Sequence, residues 1–411
     1  MDRRVVITGL SAITPIGRTE DQILENLLAG VSGIRPIRDD ELLTGRLHCG
    51  VFGTVTDEIE YDFPRRSRKT MGPVSYYACQ VAKEAIAQSG LTEEELGSGN
   101  IGVAFGSTHG SPTVQRDIYK IFFSGDAKGL RKIGATEYLK SMVHTTAVNI
   151  TRMFGITGRV ISSGTACTTS AQSIGFGYEA IRFGRQDAMI CGGADEYDTT
   201  TVAVFDNLLA CSTKFNDSPS ETPRPFDVRR DGLVVGEGAG AVVLEELEHA
   251  KRRGAPILAE VIGFACSNNG GDLILPNTDG VRRTLKMGLA DAKLAPEEMD
   301  LISAHATATP IGDVVESRAI HDVYGEKIPV VGLKGYTGHT MGACGVIETA
   351  FVLHMMKRGV VVKTLNLEEV DPRCAAINHV LESVERKIQV ASVQNFAFGG
   401  VNTCLLYRRF D

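Results

Sequence analysis

The sequence has no tryptophan, and aromatic residues of any kind account for 6% of it. Its core must therefore be filled by aliphatic side chains and by close backbone approach, which its 45 glycines allow. No run of about 18 apolar residues occurs, so no membrane span is expected. Paired cysteine motifs are missing as well. Nine cysteines lie scattered, an odd number with no CxxC spacing. That pattern suits neither a disulfide framework nor a zinc site, and it fits a reducing cytoplasm. We expect a cytoplasmic protein with no bound metal. Basic charge is not in excess either: 43 Lys and Arg face 50 Asp and Glu, for a net charge of −7. A general nucleic-acid or membrane-surface binder is disfavoured. The start, MDRRVVITGL, is basic and then apolar, but Thr8, Gly9 and Ser11 break the run before a signal-peptide core can form.

What is present is alternation. A chain of 411 residues can hold two domains or one large duplicated unit. Apolar runs predict strands at residues 5–9, 101–105, 188–191, 239–245, 257–263, 301–304 and 330–333. Helical spacing predicts helices at 21–29, 71–89, 147–154, 280–292, 313–324 and 340–357. Strands alternating with helices predict an α/β architecture. The pattern restarts near residue 255, so we expect an internal duplication with units 1–250 and 251–411. Residues 30–49 look irregular, and 111–140 predict a surface excursion. The turn Gly236-Glu237-Gly238-Ala239-Gly240 is GxGxG leading into a strand, which does not suit a dinucleotide.

The most unusual stretch is GTACTTS, residues 164–170, followed by a helical pattern. A cysteine at a helix start meets free N–H groups and the positive end of the dipole, which favour thiolate and hence nucleophilicity. Cys167 could equally be one more small buried residue. Two later stretches share its texture, an isolated histidine in a loop of small residues after a buried strand: LISAHATATPIGD (301–313) and VVGLKGYTGHTMGACGVIE (330–348). In α/β sheets such loops bind ligands. His305 or His339 alone could be a satisfied core residue; with Cys167 they look like a Cys–His–His set.

In these blocks the chain resembles the 3-oxoacyl-(acyl-carrier-protein) synthases, both the type II elongating enzymes and the type II polyketide or polyene ketosynthases. VVITGLSAITPIG (5–17), GTACTTS, RPFDVRRDGLVVGEGAG (224–240), HATATPIGD, KGYTGHTMGACGVIE and NFAFGGVN (395–402) match family blocks in order, across essentially the whole chain. The resemblance implies a thiolase-like fold of two duplicated αβαβα halves in a five-layer sandwich, and a dimer, with itself or with a chain-length factor. It implies decarboxylating Claisen condensation on substrates carried by the phosphopantetheine of acyl carrier protein, with no cofactor of the enzyme's own. Cys167 would then carry the acyl group, and His305 and His339 would stabilise the enolate. Lys334 and Glu348 would be the supporting charge pair. Thr307 and Thr309 would bind pantetheine. Phe398, with Gly399 and Gly400, would form the gate and, with Cys167, the oxyanion hole.

Docking an acidic carrier protein requires local positive charge, for which Arg65, Arg66, Arg68 and Lys69 are candidates, with Lys128, Arg131, Lys132 and Lys214. Three departures from the family stand out. Ala306 replaces a glycine, which predicts a backbone angle that is not positive. His109, in GSTHGSP, occupies what is usually an apolar position at the waist of the acyl pocket. SNNGGDLILPN (267–277) replaces a segment of different composition. Together they suggest an acyl group other than a plain saturated chain. The competing reading is a non-catalytic chain-length partner, which typically lacks the cysteine. A degradative thiolase would need a second catalytic cysteine, and Cys404 lacks the motif around it.

Overall fold

The structure, a computed structural model, describes residues 2–38, 45–125, 127–131 and 133–410. Among them, eleven strands form one sheet: β1 (Val5–Ile13), β2 (Ile101–Gly106), β3 (Val160–Ile161), β4 (Ala188–Asp195), β5 (Gly238–Glu246), β6 (Ala259–Asn268), β7 (Leu301–Ala304), β8 (Pro329–Gly332), β9 (Asn378–His379), β10 (Val390–Ala397) and β11 (Val401–Arg409). Their order is β9-β8-β7-β10-β11-β6-β1-β5-β4-β2-β3. Two sets of five share one pattern. In β3-β2-β4-β5-β1 the first three strands are parallel and the next two pairings antiparallel. The set β8-β7-β10-β11-β6 repeats this. The sets join where β1 lies antiparallel to β6, at Val5–Ile7 only.

Six helices cover the sheet: α1 (Pro73–Ser89), α2 (Thr145–Phe154), α3 (Thr169–Arg182), α4 (Thr278–Ala292), α5 (Gly312–Tyr324) and α6 (Cys344–Arg358). Thirteen of the 15 residues of α6 are buried, so this helix is enclosed rather than amphipathic. Ile174 and Ile181 of α3 share a core with Val346 and Phe351 of α6, Val242 and Leu244 of β5, and Leu405 of β11. That core therefore takes residues from both sets of strands. α1 and α2 pack Val74, Val81 and Ile150 on Val103 and Ile190 of the first set. α4 and α5 pack Leu285 and Ile320 on Ile302 and Leu406 of the second. Among the described residues no helix is long and apolar enough to cross a membrane.

The predicted strands and helices recur with shifted ends, and four departures have clear causes. β4 does not stop at Gly192-Gly193 but runs on to Asp195. A Cβ at Gly192 would lie 2.1 Å from the Gly240 oxygen, so glycine here permits close strand contact rather than a turn. The predicted surface excursion contains helices at Pro112–Ser124, Ala127–Leu130 and Ala135–Ser141. Their large apolar residues Tyr119, Phe122, Phe123 and Tyr138 face outward, which hid the usual buried stripe. Residues 30–49 are not wholly irregular, because Ile34–Pro36 pairs with Val51–Gly53. The helix predicted from residue 71 starts at Pro73, where a missing N–H costs nothing, and Arg65–Arg68 ahead of it is a separate short helix.

Candidate active site

Each candidate residue is delivered by a loop at a strand or helix end. Ala166, at φ 48°, turns the chain into the 3-10 turn Ala166–Thr168, which sets Cys167 just before α3. His305 follows β7 directly. His339 follows the short helix Lys334–Thr337 and Gly338 (φ 69°). Its backbone is braced on both sides, with its N–H to the Val234 oxygen at 2.7 Å and the Gly236 N–H to its own oxygen at 2.9 Å. The glycine-rich turn thus supports a histidine, and a Cβ on Gly236 would lie 2.6 Å from the Thr337 oxygen.

These loops converge. His339 Nε2 lies 2.9 Å from Cys167 Sγ. The two imidazoles meet edge to face, with centroids 5.1 Å apart. One ligating atom from each of Cys167, His305 and His339 falls within 4.8 Å of the others. Lys334, 1% exposed, extends Nζ to Glu348 Oε1 at 2.5 Å, to the His305 oxygen at 2.5 Å and to His305 Nδ1 at 3.2 Å. Asn395 Nδ2 reaches Glu348 Oε2 at 2.7 Å, and Cys344 donates to the Cys167 oxygen at 3.2 Å.

Electrostatics follow from this enclosure. Burial pushes the Cys167 thiol up to about 12, with Lys334 pulling the other way. The dipole at the helix start therefore does not produce a resting thiolate as expected, because desolvation outweighs it. Burial, reinforced by Lys334, holds both histidines well below the ordinary imidazole value. Burial acts most strongly against the Lys334 charge, but its acidic neighbours, Glu348 first among them, together raise its proton affinity and keep the ammonium charged. An ammonium can only donate, so His305 Nδ1 accepts and the ring proton sits on Nε2. A metal ion would have to displace that proton beside a fixed positive charge. The set suits a developing anion better than a cation.

Cys167, His305 and His339 line a cavity of about 360 Å³, as do Thr307, Thr309 and Phe398. The Thr307 and Thr309 hydroxyls are 3.2 Å apart. Phe398 stacks on Phe205 with centroids 5.6 Å apart. Gly399 and Gly400 take φ of 84° and 71°. The Gly399 N–H donates to the Leu273 oxygen at 2.7 Å, tying this turn to the atypical 267–277 segment. Leu273, Ile274 and Leu275 of that segment lie at the cavity's exposed rim.

Other expected residues lie elsewhere. His109 is exposed and does not line this cavity. Arg65, Arg66, Arg68, Lys69, Lys128, Arg131 and Lys214 are exposed, and Lys132 lies outside the described residues. Ala306 contradicts the expected angle, with φ 38° and no exposure; Ala308 follows at 63°. The reason is a carboxylate the sequence did not reveal. Glu316 of α5 accepts from the His305 and Ala306 N–H groups, both at 2.7 Å. Asn395 was also missed, although it opens the NFAFGGVN block.

Two family models match most of the chain: the N-terminal domain of β-ketoacyl synthase matches residues 2–250, and the C-terminal domain 258–368. The 3-oxoacyl-[acyl-carrier-protein] synthase 1 of Escherichia coli (strain K12) is 35% identical over 413 residues, 99% of each chain. A β-ketoacyl synthase crystal structure from Burkholderia phymatum STM815 superposes over all of both chains, with 40% identity and a TM-score of 0.95. A type II PKS acyl-carrier protein in complex with its hexaketide-bound ketosynthase contributes a chain 27% identical, at a TM-score of 0.90 over the full length of both. With a sulfur and two neutral imidazoles gathered at one cavity, and this likeness running from end to end, the chain belongs to the β-ketoacyl synthase family.

Proposed function

We infer that the chain is an acyltransferase, a 3-oxoacyl-(acyl-carrier-protein) synthase, which condenses an acyl thioester with malonyl-acyl carrier protein. The observation that carries this reading is the 2.9 Å contact between His339 Nε2 and Cys167 Sγ, with His305 alongside. In the first stage the buried thiol gives up its proton to the departing pantetheine thiol, with His339 Nε2–H held against the sulfur, and the acyl group becomes a thioester on Cys167. The N–H groups of Cys167 and Phe398 hold the tetrahedral oxyanion. In the second stage malonyl-carrier protein loses CO₂. The resulting enolate oxygen receives N–H donors from His305, whose tautomer Lys334 sets, and from His339. The enolate carbon then attacks the acyl carbonyl and Cys167 leaves. Glu348 keeps Lys334 charged, and neither group transfers a proton.

Thr307 and Thr309 hydrogen-bond the pantetheine arm. The paired five-strand sets are duplicated halves of a thiolase-like five-layer sandwich, spanning 1–250 and 251–411. The protein works as a dimer, with itself or with a chain-length factor, in a specialised pathway. Its nine cysteines, all free, suit the cytoplasm. Incubation with acyl- and malonyl-carrier protein, followed by weighing of the products, tests the reading. A 3-oxoacyl product two carbons longer is expected; free acid or unextended chain would contradict it.

Docking of the acidic carrier protein falls to the exposed basic residues of Arg65–Lys69. Arg68→Glu combined with Lys69→Glu is expected to raise KM for the carrier-bound substrate by about 10-fold, with kcat unchanged and a shallower dependence on salt. An unchanged, salt-insensitive KM would remove these residues from the interface.

The depressed imidazoles also predict the pH profile. Their neutral forms do the work, so lowering the pH from about 8 through 6.5, the ordinary histidine value, should leave malonyl decarboxylation level. Loss should begin only further down, where the rings finally take up protons. An inflection at or above 6.5 would mean that at least one ring is not desolvated as described.

A further inference from the structure

Arg230 belongs to none of the groups so far given a chemical role, yet its side chain is wholly buried and all three of its nitrogens are used. Nε donates to the Thr309 oxygen at 3.1 Å and Nη2 to the Pro310 oxygen at 3.0 Å. Nη1 donates to Asp371 Oδ2 at 2.6 Å and to the Asp227 oxygen at 2.9 Å. Two successive carbonyls are thus held by one planar fork, which a lysine cannot reproduce from a single nitrogen. Pro310 has no N–H, so its carbonyl is the only backbone hydrogen-bonding group that residue offers.

The rest of this loop is held in the same way. Glu316 takes the N–H groups of His305 and Ala306, and Asp313 Oδ1 takes that of Ala308 at 3.0 Å. Three buried ionisable side chains therefore fix the backbone from His305 to Pro310, across two alanines at positive φ. Such angles persist only where the surroundings over-determine them. The division of labour is spatial. Glu316 grips the end that carries His305, and Arg230 grips the end that carries Thr309.

We propose that Arg230 is a positioning residue for pantetheine recognition, holding the Thr309–Pro310 backbone so that the Thr307 and Thr309 hydroxyls face the tunnel. The inference rests on the ketosynthase reading above. It separates substrate capture from chemistry: His305 is anchored independently by Glu316 and Lys334, so loosening Arg230 should affect the former and spare the latter.

The test is Arg230→Lys in the full chain, with three measurements: KM for acyl-carrier protein, kcat, and the rate at which iodoacetamide alkylates Cys167. The small reagent bypasses the threonines. KM is expected to rise about 10-fold, while kcat and alkylation stay within about twofold. Because Arg230 acts in part through Thr309, Arg230→Lys combined with Thr309→Val should raise KM by less than the product of the two single effects. Should Arg230→Lys not fold, Asp371→Asn keeps the guanidinium but removes its 2.6 Å ion pair with Asp371 and leaves the 3.7 Å one to Asp313; Arg373 also contacts Asp371 at 2.6 Å. It should raise KM about threefold, again with alkylation unchanged. A folded variant with unaltered KM overturns the proposal, and so does a parallel fall in kcat and alkylation, the mark of general loosening. Failure of the ketosynthase reading would show differently, as absence of condensation in the unmodified protein.

Discussion

Cys167→Ala is expected to lower condensation by at least about 10⁴-fold while leaving the protein folded. The side chain is 6% exposed, and the change removes a single sulfur from a turn whose backbone is held by other contacts. Stability should fall by only about 1–2 kcal/mol, the cost of a small cavity. The catalytic loss is far larger because no other group stands in for the sulfur. Cys344, a neighbouring thiol, is directed at the Cys167 oxygen, and burial drives its own proton affinity well up. The imidazoles are untouched by the change, so malonyl decarboxylation should outlast condensation in this variant. Product analysis by mass after equal incubation times, beside a thermal melt, checks both halves. Condensation surviving within about 100-fold would assign the acyl group to some other residue.

Lys334→Ala should produce the second-largest effect, and it should damage stability as well as rate. It leaves the Glu348 carboxylate buried, with Asn395 its remaining donor at 2.7 Å, and frees the His305 oxygen and Nδ1. Stranding one partner of a buried pair costs about 3–5 kcal/mol. His305 also loses the donor that keeps its proton on Nε2, and an enolate facing the wrong tautomer loses about 10²–10³-fold in rate. The two effects can be separated. Lys334→Met with Glu348→Gln removes both charges together, so stability should return while the rate does not. Recovery of both would make the pair a structural feature only. Loss of stability without loss of rate would detach Lys334 from the chemistry.

The sequence made the site legible where residue type and spacing carry chemistry. Cys167, His305, His339, Lys334 and Glu348 are separated by as much as 181 positions in the chain, yet each stood out among small residues or within a block in the expected order. Strand and helix positions were legible for a similar reason, since their apolar periodicity records burial. Three kinds of feature were not. The thiol's proton affinity depends on total enclosure, which a local helix-start argument cannot weigh. The positive angle at Ala306 depends on Glu316, ten residues ahead on another element, and nothing in the local sequence announces that bond. The helices of residues 112–141 carry their large apolar side chains on the outside, so a rule that seeks a buried stripe passes over them. His109 and the 267–277 segment show a related limit: an unusual residue type marks a difference without saying which cavity it faces.

Peptide-level mass spectrometry of the protein after brief exposure to acyl-carrier protein tests the central claim most directly. The account predicts the acyl mass on the peptide containing Cys167, labile to hydroxylamine as a thioester, and its disappearance when malonyl-carrier protein is added. An acyl group found on a different cysteine, or one that remains on Cys167 after malonyl-carrier protein has been supplied, would contradict it.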